Sequence, residues 1–304
     1  SGCLDIFVAD MNCSMPIDPL YADRYKFKLI PVSEVIAFEG IEERLNYVPE
    51  KAAEQADQLL QIAIDNFKER RETIEPVTGL NMNEAVVGFS TESIVEALGG
   101  SLDPLLGAIK DGTLRGVCGM VSCTTLRDRG QDVHTVDVVK ELIKRDVLVL
   151  SMGCGNGAVQ VAGLCKTEAK ELAGPGLQAV CEKLNIPPVL SYGTCTDTGR
   201  IADLIGIISD ALGGVPIPDL PVVAAAPEYM EQKATIDAIF ALAFGLYTYV
   251  NPVPTVTGGP DLVQLLTKDC RDVTGGILHL ETDTKEAVEA MMDHIEANRE
   301  KLGI

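Results

Sequence analysis

Basic residues are in short supply. The 304 residues carry 25 Lys and Arg against 45 Asp and Glu, a formal charge of -20. Nucleic acid and anionic membrane surfaces both demand clustered positive charge, so neither is an expected partner. Histidine is scarce too, with three in the chain. His134 precedes a predicted helix and is read as a local packing or hydrogen-bonding group, while His279 and His294 lie far in sequence from the segments singled out below. No apolar run is long enough to cross a bilayer; AIFALAFGLYTYV (238–250) falls short of a span. The chain as it stands opens without a secretory leader, so a cytoplasmic location is expected. A phosphate-cradling glycine loop is also missing. MGCGNGA (152–158) has closely placed glycines after a strand, but a cysteine occupies its centre, which weakens a dinucleotide reading.

What is present suits a globular α/β protein of two domains or one large one, with 46% hydrophobic and 23% charged residues. The sequence begins SGCLDIFVAD, in effect at a strand, with no initiator Met and no preceding helix. A parallel strand needs neighbours and crossover helices, so this is expected to be the C-terminal part of a longer polypeptide. Residues 1–75 read as a partial α/β unit with strands at 4–9 and 26–32. A helix over 49–71 opens on a first-turn proline and repeats Ala52, Ala56, Leu59, Ala63 and Phe67 at helical spacing. The Pro and Gly of 72–82 mark a linker, and residues 76–304 form the second domain. There, strands at 85–89, before Cys123, before Cys154, before Cys195 and at 221–227 alternate with helices at 92–98, 136–145, 158–164, 176–184, 201–212, 231–249 and 284–302. Such alternation predicts a doubly wound parallel sheet.

Nine cysteines are many for a chain without the density of a disulfide scaffold. Four of them, Cys13, Cys123, Cys154 and Cys195, stand one to a few residues past the end of an apolar, Val/Ile/Leu-rich run: LDIFVADMNC, GVCGMVSC, DVLVLSMGC and PPVLSYGTC. Such runs read as buried parallel strands, and ligands in open α/β sheets bind beyond the carboxyl ends of the strands. Any single cysteine of this kind is ordinarily an inert buried thiol. Four delivered to one edge look like the soft donor set of an iron–sulfur cluster, held on separate rigid loops and not in a compact Cys-x-x-Cys run. Zinc fits less well, since its structural sites usually use paired short-range cysteines. Cys3, Cys118, Cys165, Cys181 and Cys270 lie in apolar or helical stretches and are read as structural thiols. Lys233, in the turn PEYMEQKA after the strand 221–227, falls at the same edge, where a partly desolvated amine can donate a proton or bind an anion. A surface lysine at a helix start is its ordinary alternative, and Glu231 is read as a helix cap.

Read together, DMNCSMP, GMVSCTT, TVDVVKELIKRDVLVLSMGCGNGAVQVAGL, IPPVLSYGTCTDTGR and LPVVAAAPEYMEQKA resemble the anaerobic nickel–iron carbon monoxide dehydrogenases of the hybrid-cluster protein / carbon monoxide dehydrogenase superfamily. The resemblance runs along the whole chain and implies two Rossmann-like doubly wound domains, the first only partly present. It implies that Cys13, Cys123 and Cys154 bind iron of a nickel–iron–sulfur cluster (Ni-4Fe-4S type), that Cys195 binds nickel, and that Lys233 stabilises bound carbon dioxide and assists proton transfer. The implied reaction is CO + H2O to CO2, two protons and two electrons, and the reverse. A ferredoxin-type electron carrier, a homodimer formed through an N-terminal region, further 4Fe-4S clusters on that region and an acetyl-CoA synthase partner also belong to the resemblance. In that family a histidine and a cysteine upstream of residue 1 complete the cluster, so this chain alone is expected to be inactive. Two local departures stand out. Thr124 and Thr125 replace a pair that is usually Asn, and Asp237 replaces an apolar residue that lines the gas pocket. A hybrid-cluster protein reducing hydroxylamine, in which Glu231 would be a ligand, and a non-catalytic assembly module are the alternatives; nickel content separates the first.

Overall fold

The computed structural model describes residues 2–10, 14, 17, 19–79, 84–125, 129–230 and 232–304, and only the backbone of residues 97, 232 and 233. The chain divides into two compact units, Ser1–Met82 and Asn83–Ile304.

In the first unit, β1 (Ile6–Ala9) pairs in parallel with β2 (Lys28–Pro31), with α1 (Pro19–Tyr25) between them in sequence. The helix α2 (Ala52–Arg70) follows a single turn opened by Pro49. Its C-terminal end is fastened to β1 through buried polar groups: Arg70 donates from Nε to Asp5 Oδ1 (2.7 Å) and from Nη1 to the Gly2 carbonyl (2.8 Å), and Asn66 Nδ2 donates to the carbonyls of Asp5 and Lys26. Charge-assisted bonds of this kind are stronger than neutral ones, which suits a strand pair too small to make much of a core.

The second unit is a six-stranded, wholly parallel sheet in the order β5-β4-β3-β6-β7-β8. Its elements in chain order are α3 (Thr91–Ala97), α4 (Asp103–Lys110), β3 (Gly116–Ser122), α5 (Val133–Lys144), β4 (Val147–Met152), α6 (Gly153–Val161), α7 (Pro175–Leu184), β5 (Val189–Gly193), α8 (Gly199–Ala211), β6 (Val222–Ala226), α9 (Gln232–Ala243), β7 (Tyr247–Val250), α10 (Pro260–Gln264), α11 (Cys270–Val273), β8 (Ile277–Leu280) and α12 (Thr284–Leu302). Counted within this unit, the strand order is 3-2-1-4-5-6, the dinucleotide-fold topology, and the order reverses between β3 and β6. β4 is buried along its whole length, so its uninterrupted apolar run is that of a strand covered on both faces. Each of Val147, Leu148, Val149 and Leu150, at most 1% exposed, contributes about 1.5–3 kcal/mol by leaving water. Alternation sets the layers. Gly119, Val121, Ala224 and Ala226 face α8 and α9, whereas Gly116, Met120 and Ser122 face Ile295 of α12 and Gly155 of α6.

The sequence reading has no counterpart for β8, α1, α4, α10 or α11, and three further elements depart from it. The predicted helix 231–249 is a helix and a strand, α9 and β7, separated at Gly245, whose φ of +93° only glycine adopts readily. Residues 85–89 make a single bridge, Val87 to Ser191, and no strand. α6 begins at Gly153 itself, so Cys154 sits in a helix's first turn and not in a loop ahead of it.

Candidate metal centre

β3, β4 and β5 end side by side, and a close backbone approach locks them there. Ser122, the last residue of β3, bridges Gly153, the first of α6. Gly153 has φ +74°, and a β-carbon placed on it would stand 2.8 Å from the Ser122 carbonyl oxygen and 3.4 Å from Cys195 Cβ. The left-handed backbone and the missing side chain are therefore both required. Gly155 answers the same need two residues on: its β-carbon would meet Ser122 Cβ at 2.7 Å and Met120 Sδ at 2.8 Å. Gly153 and Gly155 of MGCGNGA thus let α6 press onto β3, which accounts for these two glycines without a phosphate. Cys123, Cys154 and Cys195 lie at or within one residue of this contact.

Each of the three has its own local setting. Cys123 is 8% exposed and donates its backbone N–H to the Glu228 carbonyl (3.0 Å). Thr124 beside it donates its hydroxyl to Asp132, just ahead of α5. Cys154 is exposed in the first turn of α6, where the helix dipole favours a negatively charged ligand. Cys195 is half-buried and opens a single turn before α8; its carbonyl accepts the Thr198 hydroxyl at 2.7 Å. Lys233 stands in the first turn of α9, the helix that follows β6, and β6 is the neighbour of β3 in the sheet. The position of its side chain, Glu231 and Cys13 lie outside the described residues, and Cys13 belongs to the first unit. Among the described residues no three His, Cys, Asp or Glu side chains meet at a single ion position.

Buried polar clamps hold the three ends, and sequence reasoning missed them. Asn156 (5% exposed) accepts the Ser151 hydroxyl at 2.8 Å and donates to Ser191 Oγ (3.0 Å) and the Gly193 carbonyl (3.3 Å), tying α6 to β4 and β5. Glu228 is fully buried. Its backbone N–H donates to Ser122 Oγ (3.0 Å), and its Oε2 accepts the Thr135 N–H (3.1 Å) in the first turn of α5. Asn251 holds the other flank of the same loop: its N–H donates to the Ala226 carbonyl, its Nδ2 to the Pro227 carbonyl, and its own carbonyl accepts the Tyr229 N–H. The only sequence signal for Glu228 was an acidic residue two places beyond an all-apolar strand.

The remaining thiols behave differently. Burial pushes Cys118, Cys165 and Cys181 up to about 12, which keeps them protonated and inert. Cys270 is buried as well, but Cys3 is exposed, unlike its expected place among the structural thiols. His134 is fully buried; Arg129 donates to its Nδ1 (2.8 Å), which leaves Nε2–H to donate to the Tyr249 hydroxyl (2.7 Å). Beneath the site, α8, α9, β3 and β6 enclose a small apolar cavity. Asp237 lines it, with Oδ1 3.4 Å from the Thr198 hydroxyl.

Soft thiol donors on rigid strand ends, one of them on a helix N-terminus, fit a sulfide-bridged iron cluster in the chemistry of the donor set. Carbon monoxide dehydrogenase 2 of Methanosarcina mazei is 70% identical over all 304 residues, which make up 48% of that protein. Among solved structures, a nickel-free carbon monoxide dehydrogenase from Thermococcus sp. AM4 superposes with a TM-score of 0.87 at 39% identity, over 99% of this chain and 47% of its own. A chain of an acetyl-CoA synthase/carbon monoxide dehydrogenase, from a structure of NiZn[Fe4S4] and NiNi[Fe4S4] clusters in its closed and open α subunits, gives 0.86 at 31% identity, over 99% of this chain and 47% of its own. The chain thus spans about half the length of the relatives it matches. The sequence pattern of one family covers residues 1–285, and with these likenesses it places the chain in the Prismane/CO dehydrogenase family.

Proposed function

We propose that this chain is the C-terminal half of an anaerobic, cytoplasmic nickel–iron carbon monoxide dehydrogenase. Residues 1–75 would complete a central Rossmann-like domain, and residues 76–304 would be the C-terminal one. The reaction is CO + H2O to CO2, two protons and two electrons, run in either direction, with a ferredoxin-type carrier taking the electrons. Cys13, Cys123 and Cys154 would hold iron of a Ni-4Fe-4S-type cluster, and Cys195 nickel. When bound, that cluster supplies the redox chemistry and the electrophilic metal that carbon monoxide requires. The protein's own part is positional and protonic. The glycine contact at Gly153 fixes three thiols relative to one another, and the α6 N-terminus offsets negative charge beside Cys154. Lys233, delivered by α9 to the same edge, would hydrogen-bond the oxygens of the one-carbon substrate and move a proton to or from them. The cavity under Cys195 would admit an apolar diatomic gas. A homodimer, further 4Fe-4S clusters on an N-terminal region and association with an acetyl-CoA synthase complete the proposal.

The observation that carries this reading is the meeting of three cysteine-bearing strand ends beside the β3/β6 switch point, in a chain with 70% identity to a carbon monoxide dehydrogenase. Anaerobic purification of the complete polypeptide with nickel and iron supplied tests it. Stoichiometric nickel and CO-dependent reduction of a viologen dye are expected, with a loss of about 10²–10⁴ in rate for Lys233→Ala. Iron without nickel, together with hydroxylamine reduction, would favour the hybrid-cluster alternative; absence of both metals would leave an assembly module. The isolated 304-residue chain is expected to hold no stoichiometric nickel and to oxidise no CO.

A further inference from the structure

We infer that Glu228 is a positioning residue for Cys123, so that cluster loading depends on a side chain that is no ligand. The inference rests on the function proposed above.

The loop after β6 has no regular structure once the strand ends at Ala226, yet its peptide at 228 accepts the Cys123 N–H. That bond sets the backbone from which the Cys123 thiol projects. Two tethers keep the loop in place, and they come from opposite sides. Asn251 holds Pro227 and Tyr229 from β7. Glu228 alone holds it toward β3 and α5, through Ser122 Oγ at its backbone and the Thr135 N–H at its carboxyl group. Thr135 is the third residue of α5, whose first-turn N–H groups have no partner inside the helix. The carboxyl oxygen Oε2 therefore satisfies a donor that has no other acceptor, at a site closed to water. Oε1 has no partner among the described residues. A group buried and half-satisfied in this way is not what a loop needs for stability alone, since an apolar residue would fill the space without the desolvation cost. Its geometric product is the ring β6–Glu228–α5–β3, closed around Cys123 at the point where the strand order reverses.

Removing the side chain cuts the tether to α5 and leaves the loop on its backbone bonds to β3 and on Asn251, so the fold should persist while the register of Cys123 loosens. The test compares wild type, Glu228→Gln and Glu228→Ala in the complete, anaerobically loaded enzyme. Nickel and iron are measured per folded polypeptide, with the g values of the cluster's electron paramagnetic resonance signal and the thermal midpoint. Glu228→Gln keeps an oxygen for Thr135 and should load close to wild type. Glu228→Ala should lose about tenfold in nickel occupancy and shift the g values of what remains. Wild-type nickel content and g values in Glu228→Ala would overturn the inference, as would equal losses in the two variants. If the Ala variant does not fold, Glu228→Asp, which stays acidic but falls short of Thr135, decides in its place: lowered nickel supports the inference and full loading overturns it. A wild-type enzyme without iron would instead overturn the proposed function, and this inference with it.

Discussion

Replacing Gly153 by alanine should destabilise the second unit at the point where β3 meets α6. Two terms add. A non-glycine residue at φ +74° is strained by roughly 1–2 kcal/mol relative to the right-handed region. The new β-carbon would also sit 2.8 Å from the Ser122 carbonyl oxygen, inside any distance real β-carbons show. That obstacle is backbone at the end of a central strand, which cannot swing aside as a flexible side chain would. Relief must come from parting β3 and α6 by several tenths of an ångström, at a further cost of about 1–3 kcal/mol, the usual range for overpacking. A total of about 2–5 kcal/mol is expected. Denaturant unfolding monitored by circular dichroism would register it as a fall in midpoint at unchanged slope. Gly157→Ala is the control, four residues on in the same helix. Nothing lies within 4 Å of its would-be β-carbon, and its φ is not left-handed. It should gain roughly 0.5–1 kcal/mol from helix propensity. The parting at residue 153 would also push Cys195 from Cys154, so metal content should drop in Gly153→Ala and hold in Gly157→Ala. Should Gly153→Ala unfold within 0.5 kcal/mol of wild type, the close-approach reasoning is wrong.

Other expectations can be checked with the same preparations. Asn156→Leu removes the clamp between α6 and β5, leaving the Ser151 hydroxyl with the Leu190 carbonyl and the Ser191 hydroxyl with Gln160; a loss of about 1–3 kcal/mol is expected in the same unfolding assay. In the complete enzyme, Asp237→Leu takes the carboxyl group out of the cavity lining, and the KM for CO should fall about fivefold, the effect of roughly 1 kcal/mol of polar desolvation, with kcat little changed. His294 stacks on Tyr247, and burial holds its pKa down at about 4, against 6.5 for the free side chain. The unfolded chain therefore binds the proton more readily, and stability should decline as pH falls from about 6.5 to about 4. In His294→Gln that part of the acid limb should flatten, as read from thermal midpoints across the interval.

The strands of the second unit were legible because a central parallel strand has to be apolar on both faces, and β4 (VLVLSM) states this without interruption. Edge elements were not. β8 is half-buried throughout, so ILHL carries no such signature. The helix–strand pair α9–β7 fused into one predicted helix because its residues are apolar on both sides of Gly245, and the break lies in a backbone angle that composition does not express. At the site, Cys123, Cys154 and Cys195 could be picked out by one local rule, a thiol just past an apolar run. Glu228, Asn156 and Asn251 could not. Each acts through partners supplied by the topology; Glu228 meets Ser122 across 106 residues of chain and Thr135 across 93. Until the strand order is known, such residues look like ordinary polar loop positions.

Helix α12 braces the sheet that carries the cysteine-bearing ends. Ala287, Val288, Met291 and Ile295 of α12 are fully buried. Arg299, 1% exposed, reaches with Nη1 to the carbonyls of Ile109 (2.8 Å), Leu114 and Arg115 (both 3.2 Å), the approach to the sheet's first strand. A nascent polypeptide held in the ribosome has β3, β4 and β5 long before it has this brace, and it must keep their bare face waiting. Order at the thiol-bearing strand ends therefore depends on a helix that is made well after them.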